Sequence, residues 1–158
     1  MLVDSAMEEA AAAATQLPRR SLAALILLSN RPGSTSDWLS QRLGFTQSGA
    51  VRLVDRLAAL ELLRRERQPG RKEVFLHVTS AGEARLDQGL EAQAAAIRRL
   101  LEPLSASEQE QLSALVGKVL AGGVRRRDQA DVDCRLCDWA VCKPVCPVES
   151  SIVEETTP

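Results

Sequence analysis

Residues 46–79 read TQSGAVRLVDRLAALELLRRERQPGRKEVFLHVT, and within this stretch the hydrophobic period changes. In the first half Ala50, Leu53, Val54, Leu57 and Leu60 recur at i, i+3, i+4 and i+7, which predicts an amphipathic helix opening at about Thr46. In the second half two β-capable runs, LLRRER and EVFLHVT, flank QPGRK and predict a hairpin around a Pro-Gly turn. A helix that runs straight into a basic hairpin must dock its apolar stripe on something else. Few small folds provide for that.

The flanking sequence supplies the partners. STSDWLSQRLG (34–44) predicts a short helix, with Ser34 and Asp37 at capping-box spacing. Trp38, Leu39 and Leu43 share one face, and Gly44 is the stop. Upstream, residues 6–16 and 19–30 are helical by propensity, ending at Leu17-Pro18 and at Arg31-Pro32-Gly33. Downstream, a long helical pattern runs from Thr79-Ser80 to about Leu101. A capping box, Ser105 to Glu108, then opens a last helix that stops at Gly122-Gly123. Periodicity is lost beyond VRRRDQADVD, which places the domain boundary near residue 125.

The fold class expected is mainly α with a small β wing (α+β): a winged helix-turn-helix with long dimerisation helices. Four segments follow: N-terminal support helices (1–33), the winged helix-turn-helix (34–80), C-terminal helices (81–124) and a tail (125–158).

Aromatic residues are only 3% and Tyr is absent, so the core must be built from Leu, Val and Ala, which favours helices. The net charge of −1 hides an uneven distribution. Residues 42–72 carry eight Lys/Arg against three Asp/Glu, whereas 131–158 carry six acids against two bases. The first fifteen residues are acidic and Ala-rich, unlike a signal peptide, and Leu22–Leu28 is too short to span a bilayer. A cytoplasmic location without membrane contact is expected. There thiols stay reduced, and clustered cysteines more often bind metal than form disulfides. Nothing points to an enzyme: there is no Ser/His/Asp ordering, no phosphate-binding Gly loop and no βαβ context for the C-x2-C pair. His77, the one histidine, reads as a strand residue and Trp38 as a core plug.

A helix with one apolar face and one small, polar face suits a duplex major groove about 12 Å wide. Thr46, Gln47, Ser48 and Gly49 sit at its start, where side chains and backbone N–H groups can meet base edges and phosphates. Arg52 and Arg56 follow one turn apart on the outward face, and Ser36 opens the preceding helix. The hairpin adds Arg64, Arg65, Arg67, Arg71 and Lys72, the last two just past the Pro-Gly turn. These features suit double-stranded DNA, although on the residues alone a helix-turn-helix can equally be a protein-contact module and a basic hairpin a solvated surface.

The run from Phe45 to Leu86, with RLVDRL, LLRR, a Gly70-Arg71 wing tip and Thr79-x-x-Gly82, resembles the recognition helix, wing and following helix of the MarR family. LEPLSASEQEQLSALVGKVL is similar to that family's last dimerisation helix, so the resemblance spans roughly residues 18–122. It implies a homodimeric bacterial transcription regulator on a pseudo-palindromic operator, read by Gln47, Ser48, Gly49 and Arg52 with Arg71 on the wing. It also implies a dimer surface from the N-terminal helix and residues 83–122, and allows a small-molecule effector between those helices and the DNA-reading head. Three departures stand out: Glu61 where the family has a helix-ending Gly, Gln68-Pro69 where it often has Asp, and a short first helix.

The tail is not part of that pattern. Cys134, Cys137, Cys142 and Cys146 are spaced C-x2-C-x4-C-x3-C, with Pro147 after the last. Ordering thirteen residues costs on the order of 13–26 kcal/mol of backbone entropy. Leu136, Trp139, Val141 and Val145 are the only apolar residues available to offset it. A tetrathiolate metal site supplies on the order of 10–16 kcal/mol. The spacing resembles a zinc knuckle with Cys for His. The C-x2-C start and C-x3-C-P end also resemble an iron–sulfur loop, towards which the reading leans slightly because a cluster would let a regulator sense redox state. The alternative to metal is a thiol switch pairing Cys134 with Cys137. The alternative function is a small redox or metal-binding protein that uses the winged helix as a scaffold for protein contacts.

Overall fold

The computed structural model describes residues 2–153. Met1 of the expected N-terminal segment and the last five residues of the expected tail lie outside it. The element order is α1 (Leu2–Thr15), α2 (Arg19–Asn30), β1 (Ser34–Thr35), α3 (Ser36–Leu43), α4 (Gln47–Ala59), β2 (Leu63–Arg67), β3 (Val74–Val78), α5 (Ser80–Leu101), α6 (Ala106–Ala121), α7 (Arg127–Asp133) and α8 (Trp139–Cys142), with 3-10 turns at Lys143–Val145 and Glu149–Ser151.

The apolar run in α2 is explained by its position at the centre. Residues 21–28 are all buried because α1, α3, α5 and β3 pack around it. Leu39, Val54, Leu57, Leu76 and Leu86 complete the same core. Gly89 of α5 lets α1 and α2 come close: a Cβ there would stand 2.8 Å from Leu22 Cδ1 and 3.1 Å from Thr15 Cγ2. The Arg85 guanidinium donates to the Thr15 carbonyl at 2.7 Å, which closes the C-terminus of α1.

The helix-turn-helix is capped locally. α3 is capped by Thr35, whose side chain accepts the Trp38 N–H at 3.2 Å. This is one residue later than the Ser34–Asp37 box suggested by the sequence. The reason is non-local: Ser34 and Thr35 pair with Leu76 and Phe75 to form β1, so the chain enters the helix only at Ser36. Gly44, at φ 64°, ends α3 in the left-handed region that suits glycine. Thr46 then caps α4 by accepting from the Gly49 N–H at 3.1 Å.

The wing is an antiparallel hairpin, with Leu63 opposite Val78 and Arg67 opposite Val74. The sheet order is β1-β3-β2. Glu61 adopts φ 59°, so the turn out of α4 uses the left-handed conformation that a glycine would take without strain. At the other end of the hairpin Thr79 caps α5 and donates its hydroxyl to the Glu61 carbonyl at 2.7 Å.

α5 is 22 residues, about 33 Å long. α6 opens with the expected capping box, Ser105 with Glu108. It buries no residue, although Leu112, Leu115, Val116, Val119 and Leu120 form an apolar stripe on it. The tail folds back. α7 forms within the polar VRRRDQADVD stretch, where the sequence suggested no helix, and it packs on α3. A parallel bridge between Arg125 and Ile152 closes the segment. No described helix is long and apolar enough to cross a membrane.

Candidate nucleic-acid interface and thiol cluster

α4 divides into two faces as its sequence requires. Ala50, Val54 and Leu57 are fully buried and Leu53 nearly so, whereas Gln47, Ser48, Arg52 and Arg56 stand in solvent. Thr46 is exposed at the cap, Gly49 is half-buried beside it, and Ser36 is half-buried at the start of α3. Val51, 41% exposed, adds an apolar group to the outward face. Neither Arg52 nor Arg56 is held in an ion pair among the described residues.

The basic hairpin divides in a way the charge count could not show. Arg65 is tied to Asp55 and Arg64 to Glu66 (2.8 Å), so these two guanidinia are partly neutralised. Arg67, Arg71 and Lys72 are exposed at the end of β2 and past the tip, with Arg71 lying over the Phe75 ring at 5.8 Å. Gly70 turns the tip at φ 77°. His77 sits in β3 with Nε2 3.4 Å from Glu66 Oε2, a strand residue beside a carboxylate.

Arg20 was not singled out by sequence. It lies over the Phe45 ring at 4.8 Å and lines one groove with Arg52, Arg56, Gly44 and Thr46. There was a signal. Arg19 and Arg20 occupy the first turn of α2, where a positive charge opposes the helix dipole. Arg19 is neutralised by Asp4 and Glu8, but Arg20 faces the groove beside α4.

The four cysteines come together. Cys134, Cys137, Cys142 and Cys146 line one cavity of about 20 Å3, beside Trp139 and Arg127. All four are free thiols and half-buried. The Cys134 thiol hydrogen-bonds to Cys137, which lowers the Cys137 pKa and raises that of Cys134. Burial and a hydrogen bond with Cys146 push Cys142 up to about 11. Among the described residues no group of three or more Cys, His, Asp or Glu side chains is arranged so that it could hold a metal ion.

A buried carboxylate joins this module to the helix-turn-helix. Asp131 of α7 is 2% exposed, with Oδ1 3.3 Å from Arg31 Nη2 and Oδ2 4.0 Å from Arg42 Nε. Arg42, on α3, also lies over Trp38 at 4.8 Å. Arg31 faces Trp139 at 5.6 Å, and the Trp139 indole N–H donates to the Cys134 carbonyl at 2.9 Å.

The winged-helix geometry has known counterparts. Residues 15–72 match the model of the MarR family. RV1404 from Mycobacterium tuberculosis shares 27% identity over 77% of this chain and 84% of its own, with a TM-score of 0.66. The multiple antibiotic-resistance repressor MarR from Listeria monocytogenes shares 26% over 73% and 81%, with a TM-score of 0.61. The fold matches that of MarR-type winged-helix structures. PcaV from Streptomyces coelicolor, a transcriptional regulator solved with its natural ligand, shares the fold at 24% identity over 73% and 84%, with a TM-score of 0.54. A search of curated proteins returns no match. In this winged-helix frame, α4 is the second helix of the helix-turn-helix and β2-β3 the wing.

Proposed function

We infer that the chain is a DNA-binding transcription regulator of MarR type that acts as a homodimer and carries out no catalysis. The observation that carries this reading is the open outward face of α4. Gln47, Ser48, Val51 and Arg52 are all exposed along it, with Arg20 and Arg56 at one flank. Such a face offers amide, hydroxyl, methyl and guanidinium groups, the chemistry that reads base edges in a major groove. Arg67, Arg71 and Lys72 on the wing supply phosphate or minor-groove contacts, which position the protein without reading sequence.

The dimer reading rests on α6. Its stripe at 112, 115, 116, 119 and 120 has the i, i+3, i+4, i+7, i+8 spacing of a helix that packs on another helix. Val119 nevertheless remains 77% exposed in the single chain. Leu2 and Val3 on α1 are exposed as well, at 74% and 51%. A second copy would cover both and set two α4 helices on successive major grooves of a pseudo-palindromic site. An effector would bind in the groove between α2 and α4, where the Ser21 hydroxyl is buried without a partner.

The test is selection of duplexes from a random pool with the full chain, followed by fluorescence anisotropy on the enriched sequence. An inverted repeat should emerge, and Arg52→Ala should weaken its binding by about tenfold or more. No enrichment, or an Arg52→Ala protein that binds as well as the parent, would remove the reading.

A further inference from the structure

The cysteine module is held by few apolar contacts. Trp139 packs against the core and, among the described apolar residues of the tail, only Ala130 and Val148 are buried, whereas Val141 and Val145 are 73% and 82% exposed. Yet the segment is shaped in detail. Two tight turns present the thiols in pairs. In one the Cys137 N–H donates to the Cys134 carbonyl at 3.0 Å, and in the other the Cys146 N–H donates to the Lys143 carbonyl at 3.4 Å. Asp138 caps α8 through the Ala140 and Val141 N–H groups, which fixes the approach of Cys142. The Glu149 N–H points at Cys146 Sγ, 3.4 Å away, the kind of second-shell donor that supports a thiolate ligand. Arg127 grips Glu149 through two hydrogen bonds of 2.7 and 2.9 Å, closing the far side.

We propose that Cys134, Cys137, Cys142 and Cys146 bind one thiophilic divalent cation of zinc type as four thiolates, and that this ion holds the tail against the helix-turn-helix. Ligand type and pairing both suit zinc, which takes four Cys from C-x2–4-C pairs. The four thiols line a small cavity of about 20 Å3 and also border a wider one of about 350 Å3, so ligand type and pairing, not size, carry the choice of a single ion. The mechanical consequence follows from Asp131 and Trp139. Both are seated on Arg31, and Asp131 also faces Arg42 of α3, so a tail drawn together by the ion braces the base of the helix-turn-helix.

The experiment uses the full chain, purified anaerobically and reduced. Metal analysis should find one zinc per chain and no acid-labile sulfide, in a colourless solution. After removal of the metal, zinc added against a chromophoric chelator should rebind one to one, and cobalt in its place should give the intense visible absorption of a tetrahedral thiolate site. Zinc should also protect the Arg135–Leu136 bond from trypsin. Cys142→Ser should weaken zinc binding by more than the roughly hundredfold that loss of an outer-shell partner can cost. Should that variant leave the tail unfolded, Cys146→His provides the second arm: zinc binding is retained and the cobalt spectrum shifts. Reduced protein that binds no zinc overturns the proposal. Brown protein with iron and sulfide in equal amounts overturns it too, in favour of a cluster. These outcomes do not depend on DNA, so the site and the regulator reading fail separately.

Discussion

Gly82 is the position where a single methyl group should be felt most. A Cβ built there stands 2.2 Å from the Leu62 carbonyl oxygen and 2.6 Å from Val78 Cγ1. Neither neighbour can swing aside, because one is backbone and the other a β-branched strand residue. Relief to an ordinary contact requires α5 to move by roughly 1 Å. That movement would strain the bonds that fasten it to the wing: Thr79 N–H to Leu62 O at 3.1 Å, Thr79 Oγ1 to Glu61 O at 2.7 Å, and Gly82 N–H to Thr79 Oγ1 at 3.0 Å. Overpacking of this kind costs about 1–3 kcal/mol, and weakening one or two such hydrogen bonds adds about 1 kcal/mol. The better helix propensity of Ala returns up to about 1 kcal/mol. Gly82→Ala should therefore destabilise the protein by about 2 kcal/mol, measured as a lower urea midpoint at unchanged m and fixed protein concentration. A variant as stable as the parent would show that α5 does not approach the wing this closely.

Glu61→Gly should act in the opposite direction. Its φ of 59° is the left-handed region, which costs a residue other than glycine about 1–2 kcal/mol, partly offset by the extra freedom glycine gains on unfolding. A gain of up to about 1 kcal/mol is expected in the same urea titration, and a loss would mean that the Glu61 side chain contributes a contact of its own. Leu115→Asp places a charge in the middle of the α6 stripe, where Leu115 is 61% exposed in the single chain. Sedimentation should show a shift from dimer to monomer without loss of helical signal, and an unchanged dimer would place the interface elsewhere.

The parts legible in the sequence were those determined by neighbours in the chain. The α4 stripe needs only a period, the β2-β3 hairpin only a Pro-Gly turn between β-capable runs, and the α6 start only a Ser and a Glu three residues apart. The parts that stayed hidden depend on distant partners. The α3 cap moved by one residue because β1 is defined by pairing with β3. Asp131 looks like a solvated acid in a polar tail, yet its partner Arg31 lies 100 residues earlier. α7, seven residues long and almost wholly polar, has too short a pattern to register. At the proposed DNA-facing surface, the charge count marked the basic region but could not tell which arginines are paired. Only the folded chain separates Arg64 and Arg65, tied to Glu66 and Asp55, from Arg67, Arg71 and Lys72. The four cysteines were visible at once. That they share one cavity, and that Val141 and Val145 do nothing to hold them, was not.

The salt dependence of duplex binding tests the central claim most directly. With Arg56, Arg67, Arg71 and Lys72 each meeting a phosphate in both protomers, log K should fall with log[salt] at a slope of about −7. Replacing Arg71 and Lys72 by Ala removes four of the eight contacts and should bring the slope to about −3.6. A slope near zero, or one that the double replacement leaves unchanged, would contradict the placement of α4 and the wing on DNA.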